Sequence, residues 1–157
     1  MKIELKKATL SDAEELYNIQ VKAFMPLLEK YQDFDTNPAN EDIKRVISRI
    51  NHQNGGFYKI LYDDKLIGAI RVLWKDGTTR FSISPMFILP AYQGKGIAQK
   101  TIKLVEEMYP HATTWELRTI LEEERNCYLY EKMGYVKTGE TKPLNERTTL
   151  VSYNKVS

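Results

Sequence analysis

Cys127 is the only cysteine among the 157 residues. No internal disulfide can staple the fold, and a reducing, cytoplasmic compartment is the simplest setting. An excess of charge of one sign is also missing, since 23 Lys+Arg face 21 Asp+Glu for a net of +2. That balance gives no global field to attract a phosphate backbone, which disfavours nucleic-acid binding as the main role. Apolar runs reach only three or four residues, far short of the ~20 that a membrane span requires. The segment Met1–Lys7 alternates apolar and charged residues, unlike a secretory signal. No repeat, low-complexity tract or linker divides the chain, and no metal site is predicted. What is present is a 42% hydrophobic composition, enough to bury roughly 70% of the unfolded surface at this length. Residues 1–157 therefore read as one domain.

The pattern of apolar residues predicts the elements. Met1–Lys7 has the period of a strand. Ser11 and Glu14 fit a capping box ahead of a helix carrying Leu16, Ile19, Ala23 and Phe24. Glu29–Pro38 shows no clear period and reads as a loop; a second helix from about Glu41 carries Ile43, Val46, Ile47 and Ile50. Strands are expected over Phe57–Tyr62, Leu66–Trp74 and Thr79–Leu89, joined by turns at Asp63-Asp64-Lys65 and Asp76-Gly77. The remainder reads as helix Gly96–Met108, strand Thr114–Ile120, helix Glu122–Met133 and strands Tyr135–Thr141 and Thr148–Val156. A meander followed by such alternation predicts an α/β fold with a mixed, mostly antiparallel central sheet and flanking helices.

Chemistry concentrates where the third meander strand ends. Leu89-Pro90 is followed by the polar turn Gln93-Gly94-Lys95-Gly96, then Ile97-Ala98 opens a helix. No acidic residue occurs from Pro85 to Lys103, while Lys95, Lys100 and Lys103 do. Free amides at a helix N-terminus make an anion site, and glycine lets a phosphate approach the backbone. An ordinary strand-to-helix turn would also use glycine for shape alone. A Walker loop is excluded because Lys95 lies between the glycines, and a dinucleotide fingerprint because position 99 is Gln99.

Gln93-Gly94-Lys95-Gly96-Ile97-Ala98 resembles the pyrophosphate loop of the Gcn5-related N-acetyltransferases, Gln/Arg-x-x-Gly-x-Gly/Ala. Leu129-Tyr130-Glu131-Lys132-Met133-Gly134-Tyr135 resembles that family's downstream Leu-Tyr-Glu-Lys-x-Gly-Phe signature. The resemblance implies the acyl-CoA N-acyltransferase fold, in which the strand ending at Leu89 and the strand Thr114–Ile120 splay apart. It further implies acetyl-CoA as acetyl donor, with its pantetheine arm bonded to the free backbone of Phe87 and Ile88. The amides of Gly94, Lys95, Gly96, Ile97 and Ala98 would hold the pyrophosphate, flanked by Gln93.

Tyr130 matches the tyrosine that protonates the departing thiolate, and Asn126 shares its helix face. The family often carries an asparagine at the position of Glu123, so Asn126 is the nearest amide here for the pantetheine. An amine of pKa ~10.4 is unprotonated about once in 10³ at neutral pH, a cost near 4–5 kcal/mol, so a base is needed. Where relatives place a strand glutamate this chain has Arg118, and Glu116 on the same strand face becomes the candidate base. His111 is a second titratable option. The acidic segment 29–42, with Tyr31, Asp33 and Phe34, would suit a cationic amine, whereas Arg118 would favour an acceptor bearing a carboxylate.

The expected activity is transfer of an acetyl group from acetyl-CoA to a primary amine by direct attack. Cys127 lies within a helix with no histidine near it in sequence and is a poor nucleophile. Two alternatives stay open, a non-catalytic acyl-CoA sensor or interaction module and a nucleotide-phosphate binder. A homodimer is likewise open.

Overall fold

Period-two burial builds a seven-stranded sheet in the computed structural model, which describes residues 2–157. The strands are β1 (Ile3–Lys7), β2 (Gly55–Tyr62), β3 (Lys65–Trp74), β4 (Arg80–Ile88), β5 (Thr114–Ile120), β6 (Val136–Pro143) and β7 (Thr149–Val156). Their spatial order is β1-β2-β3-β4-β5-β7-β6, and only β4–β5 is parallel. The mixed, mostly antiparallel sheet expected from sequence is thus observed. Helices α1 (Ala13–Tyr31) and α2 (Ile43–Asn51) cover one face, packing against Phe57, Ala69 and Phe87. Helices α3 (Ile97–Met108) and α4 (Glu124–Lys132) cover the other, where Ile102, Val105 and Tyr130 join Ile70, Val72 and Trp115.

Local chemistry sets the joints. The β2–β3 turn uses Asp63 and Asp64 at φ 47° and 69°, the left-handed pair that a two-residue hairpin requires and that short polar side chains tolerate. At the start of α1 the reciprocal box lies two residues earlier than Ser11 and Glu14. The Thr9 amide donates to Asp12 Oδ2 at 2.8 Å, because Leu10–Asp12 first make a 3₁₀ turn. Helix α1 also runs through Pro26 to Tyr31, beyond the expected end near Glu29. Leu28 and Tyr31 are buried, so tertiary packing holds a segment whose sequence shows no clear period. The chain then turns at Gln32, in left-handed conformation.

The joint that shapes the site lies between β4 and its neighbours. Three pairs, Arg80↔Thr114, Phe81↔Trp115 and Ser82↔Glu116, join β4 to β5, and beyond them the strands diverge. On its other edge β4 stays paired with β3, with one extra residue inserted between Ile83 and Met86. That bulge raises local twist and turns the end of β4 away from β5. Gly68 lies opposite Ile88, and an added Cβ would meet the Phe87 carbonyl oxygen at 2.1 Å. Gly68→Ala is therefore expected to lower unfolding free energy by about 1–3 kcal/mol, the range for overpacking against unyielding backbone. Urea denaturation of the two proteins measures it.

Candidate functional site

The divergence of β4 and β5 opens a cleft of about 650 Å³ roofed by α1 and walled by α4 and the turn that starts α3. Backbone direction within it follows from the ladder. The Leu89 amide donates to the Ile67 carbonyl at 2.8 Å. Antiparallel pairing alternates, so Phe87 also aims its amide and carbonyl at β3 while Met86 and Ile88 aim theirs toward the gap. Main chain turned away from β3, expected at Phe87 and Ile88, is thus found at Met86 and Ile88, although the Ile88 carbonyl is already taken by the Gln93 side chain. Phe87 instead contributes its side chain, which packs on Phe24 with ring centroids 5.9 Å apart.

The turn after Pro90 presents an unfilled cradle. Gly94 and Gly96 hold φ of 75° and 79°, and nothing lies within 4 Å of a Cβ built on either. Gly96 caps α3 without a side-chain bond, and no acid occupies the first turn. The first amide to find a partner within α3 is that of Lys100, bonded to the Gly96 carbonyl at 3.2 Å. The amides of Ile97, Ala98 and Gln99 precede it, and helix geometry leaves them without intrahelical partners, where they suit an anion. Ile97 itself is core, so its contribution is its main chain. Lys95 Nζ lies 5.8 Å from the Tyr92 ring centroid, which keeps the cation beside the turn. The Gln93 side chain is committed internally: Nε2 donates to the Ile88 carbonyl at 2.9 Å and Oε1 accepts from Arg125. It fastens the end of β4 to α4.

Tyr130 and Asn126 both reach the cleft from α4. Tyr130 is 9% exposed, and among the described residues its hydroxyl has no hydrogen-bond partner. Burial, with Cys127 beside it, pushes that hydroxyl up to about 12. The phenol stays protonated across the working range and is available as a donor.

The remaining predicted residues lie elsewhere. Glu116 stands in the paired part of β5, where Arg80 Nε donates to its Oε1 at 3.0 Å and Nη2 reaches the same oxygen. The structure thus leaves it outside the cleft lining and paired with a cation, where the expectation had placed a base; the salt bridge was hidden because Arg80 is 36 positions away. Arg118 points out on β5 and is exposed. The acceptor rim expected from Tyr31, Asp33 and Phe34 does not form. Asp33 is buried and accepts from Asn37 Nδ2 at 3.1 Å, while Phe34 is 56% exposed, away from the cleft. Tyr31 is buried, with its hydroxyl donating to Glu123 Oε2 at 3.0 Å. Most of the acidity of segment 29–42 is consumed inside the fold: Glu41 pairs with Arg49 through both carboxylate oxygens at 2.8 Å, and Asp42 caps α2.

Several lining residues were given no role by the sequence. Lys30, Leu27 and Pro26 come from α1, and Glu123 and Arg125 from the start of α4. A clasp holds the end of α1 in place: Asn145 Nδ2 donates to the Tyr31 carbonyl at 3.0 Å, and Arg147 Nη1 to the Lys30 carbonyl at 3.2 Å.

A model described as the acetyltransferase (GNAT) family matches residues 13–135. The chain belongs to the GNAT family. A search of curated protein sequences returns no match. Solved structures share the fold: the spermidine N-acetyltransferase of Vibrio cholerae, in complex with CoA and spermine, is 18% identical with a TM-score of 0.77, covering 98% of this chain and 95% of that one. An acetyltransferase from Thermus thermophilus is 12% identical with a TM-score of 0.81, covering 100% and 98%. The ribosomal-protein-S18-alanine N-acetyltransferase of Escherichia coli is 12% identical with a TM-score of 0.77, covering 99% and 94%. This chain is a GNAT-type N-acetyltransferase, with acetyl-CoA as its acetyl donor. Among the described residues no helix is long and apolar enough to cross a membrane. Glu116→Gln is expected to leave the rate of acetyl-CoA-dependent thiol release within about two-fold of wild type, as befits an exposed ion pair; an aromatic disulfide reagent that reacts with the released thiol reads it for both proteins.

Proposed function

We propose that this GNAT protein acetylates a primary amine by direct attack on acetyl-CoA, one of its two substrates, within the β4–β5 cleft. The observation that carries the reading is the Tyr130 hydroxyl, protonated and without a protein partner, on the wall of the same cleft that the open cradle of Gly94–Ala98 overlooks. The cradle amides would hold the pyrophosphate, and Lys95 would add charge beside it. Met86 and Ile88 would bond the pantetheine arm as a neighbouring strand does, with Asn126 offering an amide from α4. Amides at the end of β4 would polarise the thioester carbonyl and stabilise the oxyanion that attack creates.

Tyr130 then supplies the proton for the departing thiolate. A thiol near ~8.5 and a phenol at about 12 differ by roughly 3.5 units, about 5 kcal/mol uphill for a free-standing transfer. The transfer therefore accompanies carbon–sulfur cleavage, in which amide formation supplies the driving force. The transferase acts as a single domain over residues 1–157, in the reducing cytoplasm that its free thiol suits, alone or as a homodimer. A non-catalytic acyl-CoA sensor is the second reading, favoured by the pairing of Glu116 with Arg80, which removes the expected strand base.

Two substitutions and one assay test this. Tyr130→Phe is expected to lower kcat by about 10²-fold or more while CoA affinity by calorimetry moves less than about three-fold. Gly96→Val forces a branched residue into a left-handed position and hinders approach to the amides. It is expected to weaken CoA binding by roughly ten-fold or more. CoA binding without thiol release across amines would establish the sensor instead.

A further inference from the structure

Among the described residues that line the cleft, Glu123 is the one carboxylate. It immediately precedes α4, and its side chain is 15% exposed. Its two oxygens are not equivalent. Oε2 accepts the Tyr31 hydroxyl at 3.0 Å and lies 3.7 Å from Lys30 Nζ. Oε1 accepts no hydrogen bond from the described residues and is free to meet a ligand.

The groups around it come from three elements. Tyr31 and Lys30 approach from α1, Arg125 and Asn126 from α4, and the β6–β7 turn backs them through Asn145 and Arg147. Burial raises the Tyr31 hydroxyl above its ordinary value, so it serves only as a donor that orients the carboxylate. The Lys30 side chain is exposed, and its ammonium marks where a cation is attracted to Oε2. A purely structural tie between α1 and α4 would need one oxygen; it gives no reason for a charged group on the cleft lining whose second oxygen accepts no bond from the described residues.

We propose that Glu123 receives the acceptor, binding its ammonium at Oε1 and taking its proton, which makes cationic primary amines the substrate class. The inference rests on the transferase reading above and gives it the base that Glu116 does not provide. The balance is complete. The ammonium passes one proton to the Glu123 carboxylate, and the freed nitrogen lone pair forms a bond to the thioester carbonyl carbon. Collapse of the oxyanion breaks the carbon–sulfur bond as the Tyr130 proton passes to the departing sulfur. The phenolate recovers a proton from the nitrogen, leaving neutral amide and thiol, and Glu123 releases its proton to water. Tyr31 is a positioning residue that acts through Glu123.

The test uses the full chain, acetyl-CoA and three amines: propylamine, putrescine and glycinamide. Glu123→Gln retains shape and an acceptor for Tyr31 but loses charge and basicity. It is expected to bind CoA as wild type does, by calorimetry. Its kcat/KM near neutral pH should fall at least ~10²-fold, with the deficit shrinking as pH approaches the amine's own pKa. Tyr31→Phe removes the donor that orients the carboxylate, so kcat for the amines should fall several-fold while CoA affinity by calorimetry stays within about three-fold of wild type, a split that a general loss of structure would not give. Glu123→Asp keeps the charge and should exceed the amide variant by about ten-fold, which decides the question if the amide variant does not fold. The proposal is overturned if Glu123→Gln stays within about three-fold of wild type at every pH. It is equally overturned if wild type binds acetyl-CoA yet acetylates none of the three amines. Failure of wild type to bind CoA strikes the cofactor cradle, a separate result.

Discussion

A strand pair that comes apart after three residues governs this molecule. While β4 and β5 are paired, at Arg80–Ser82 and Thr114–Glu116, their backbones satisfy each other. Past Ser82 the bulge in β4 breaks that arrangement and leaves the main chain of Met86 and Ile88 without a neighbouring strand. The Gln93 side chain answers the Ile88 carbonyl; main-chain groups left with no such partner carry a desolvation cost, which a ligand of extended, peptide-like shape relieves. The sheet has been opened at the one place where helix α3 also begins, so main-chain donors from two kinds of element converge on one cleft. The fold supplies recognition through backbone, and side chains are left for proton chemistry.

Gln93 shows how tightly those two sources are coupled. It belongs to the turn, yet its amide bonds the Ile88 carbonyl and its oxygen holds Arg125 of α4. The end of β4, the cradle and the helix bearing Tyr130 are thereby one mechanical unit. Tyr130 gains from the packing around it: its ring lies against Tyr135 and Tyr153, and burial with Cys127 nearby keeps its hydroxyl from ionising readily, so the donor is always loaded.

What the sequence made legible was local. The turn from Gln93 to Ala98 is a run of adjacent residues, and Tyr130 belongs to a heptapeptide that spans the end of α4, so a family resemblance carried by contiguous residues pointed to both places. Strand β5 agrees with its expected bounds because Trp115, Leu117 and Thr119 alternate cleanly inward. The misreadings concern pairings between distant positions. Glu116 looked free because Arg80 lies in another strand, and Tyr31 looked like rim because its partners Glu123 and Asn145 come much later. Phe87 was one residue out of phase, since which main-chain groups face the gap is set by register against β3, a quantity absent from β4 alone. Helix α1 outran its sequence signal because burial of Leu28 and Tyr31 holds its last turn.

The clasp from the β6–β7 turn onto the carbonyls of Lys30 and Tyr31 joins segments separated by more than a hundred positions. Two stretches that look independent on the chain are thus one latch. Because it closes on main-chain oxygens, it answers to the path of the helix end and is indifferent to which side chains stand at positions 30 and 31. The identities that matter to it are those of Asn145 and Arg147 alone.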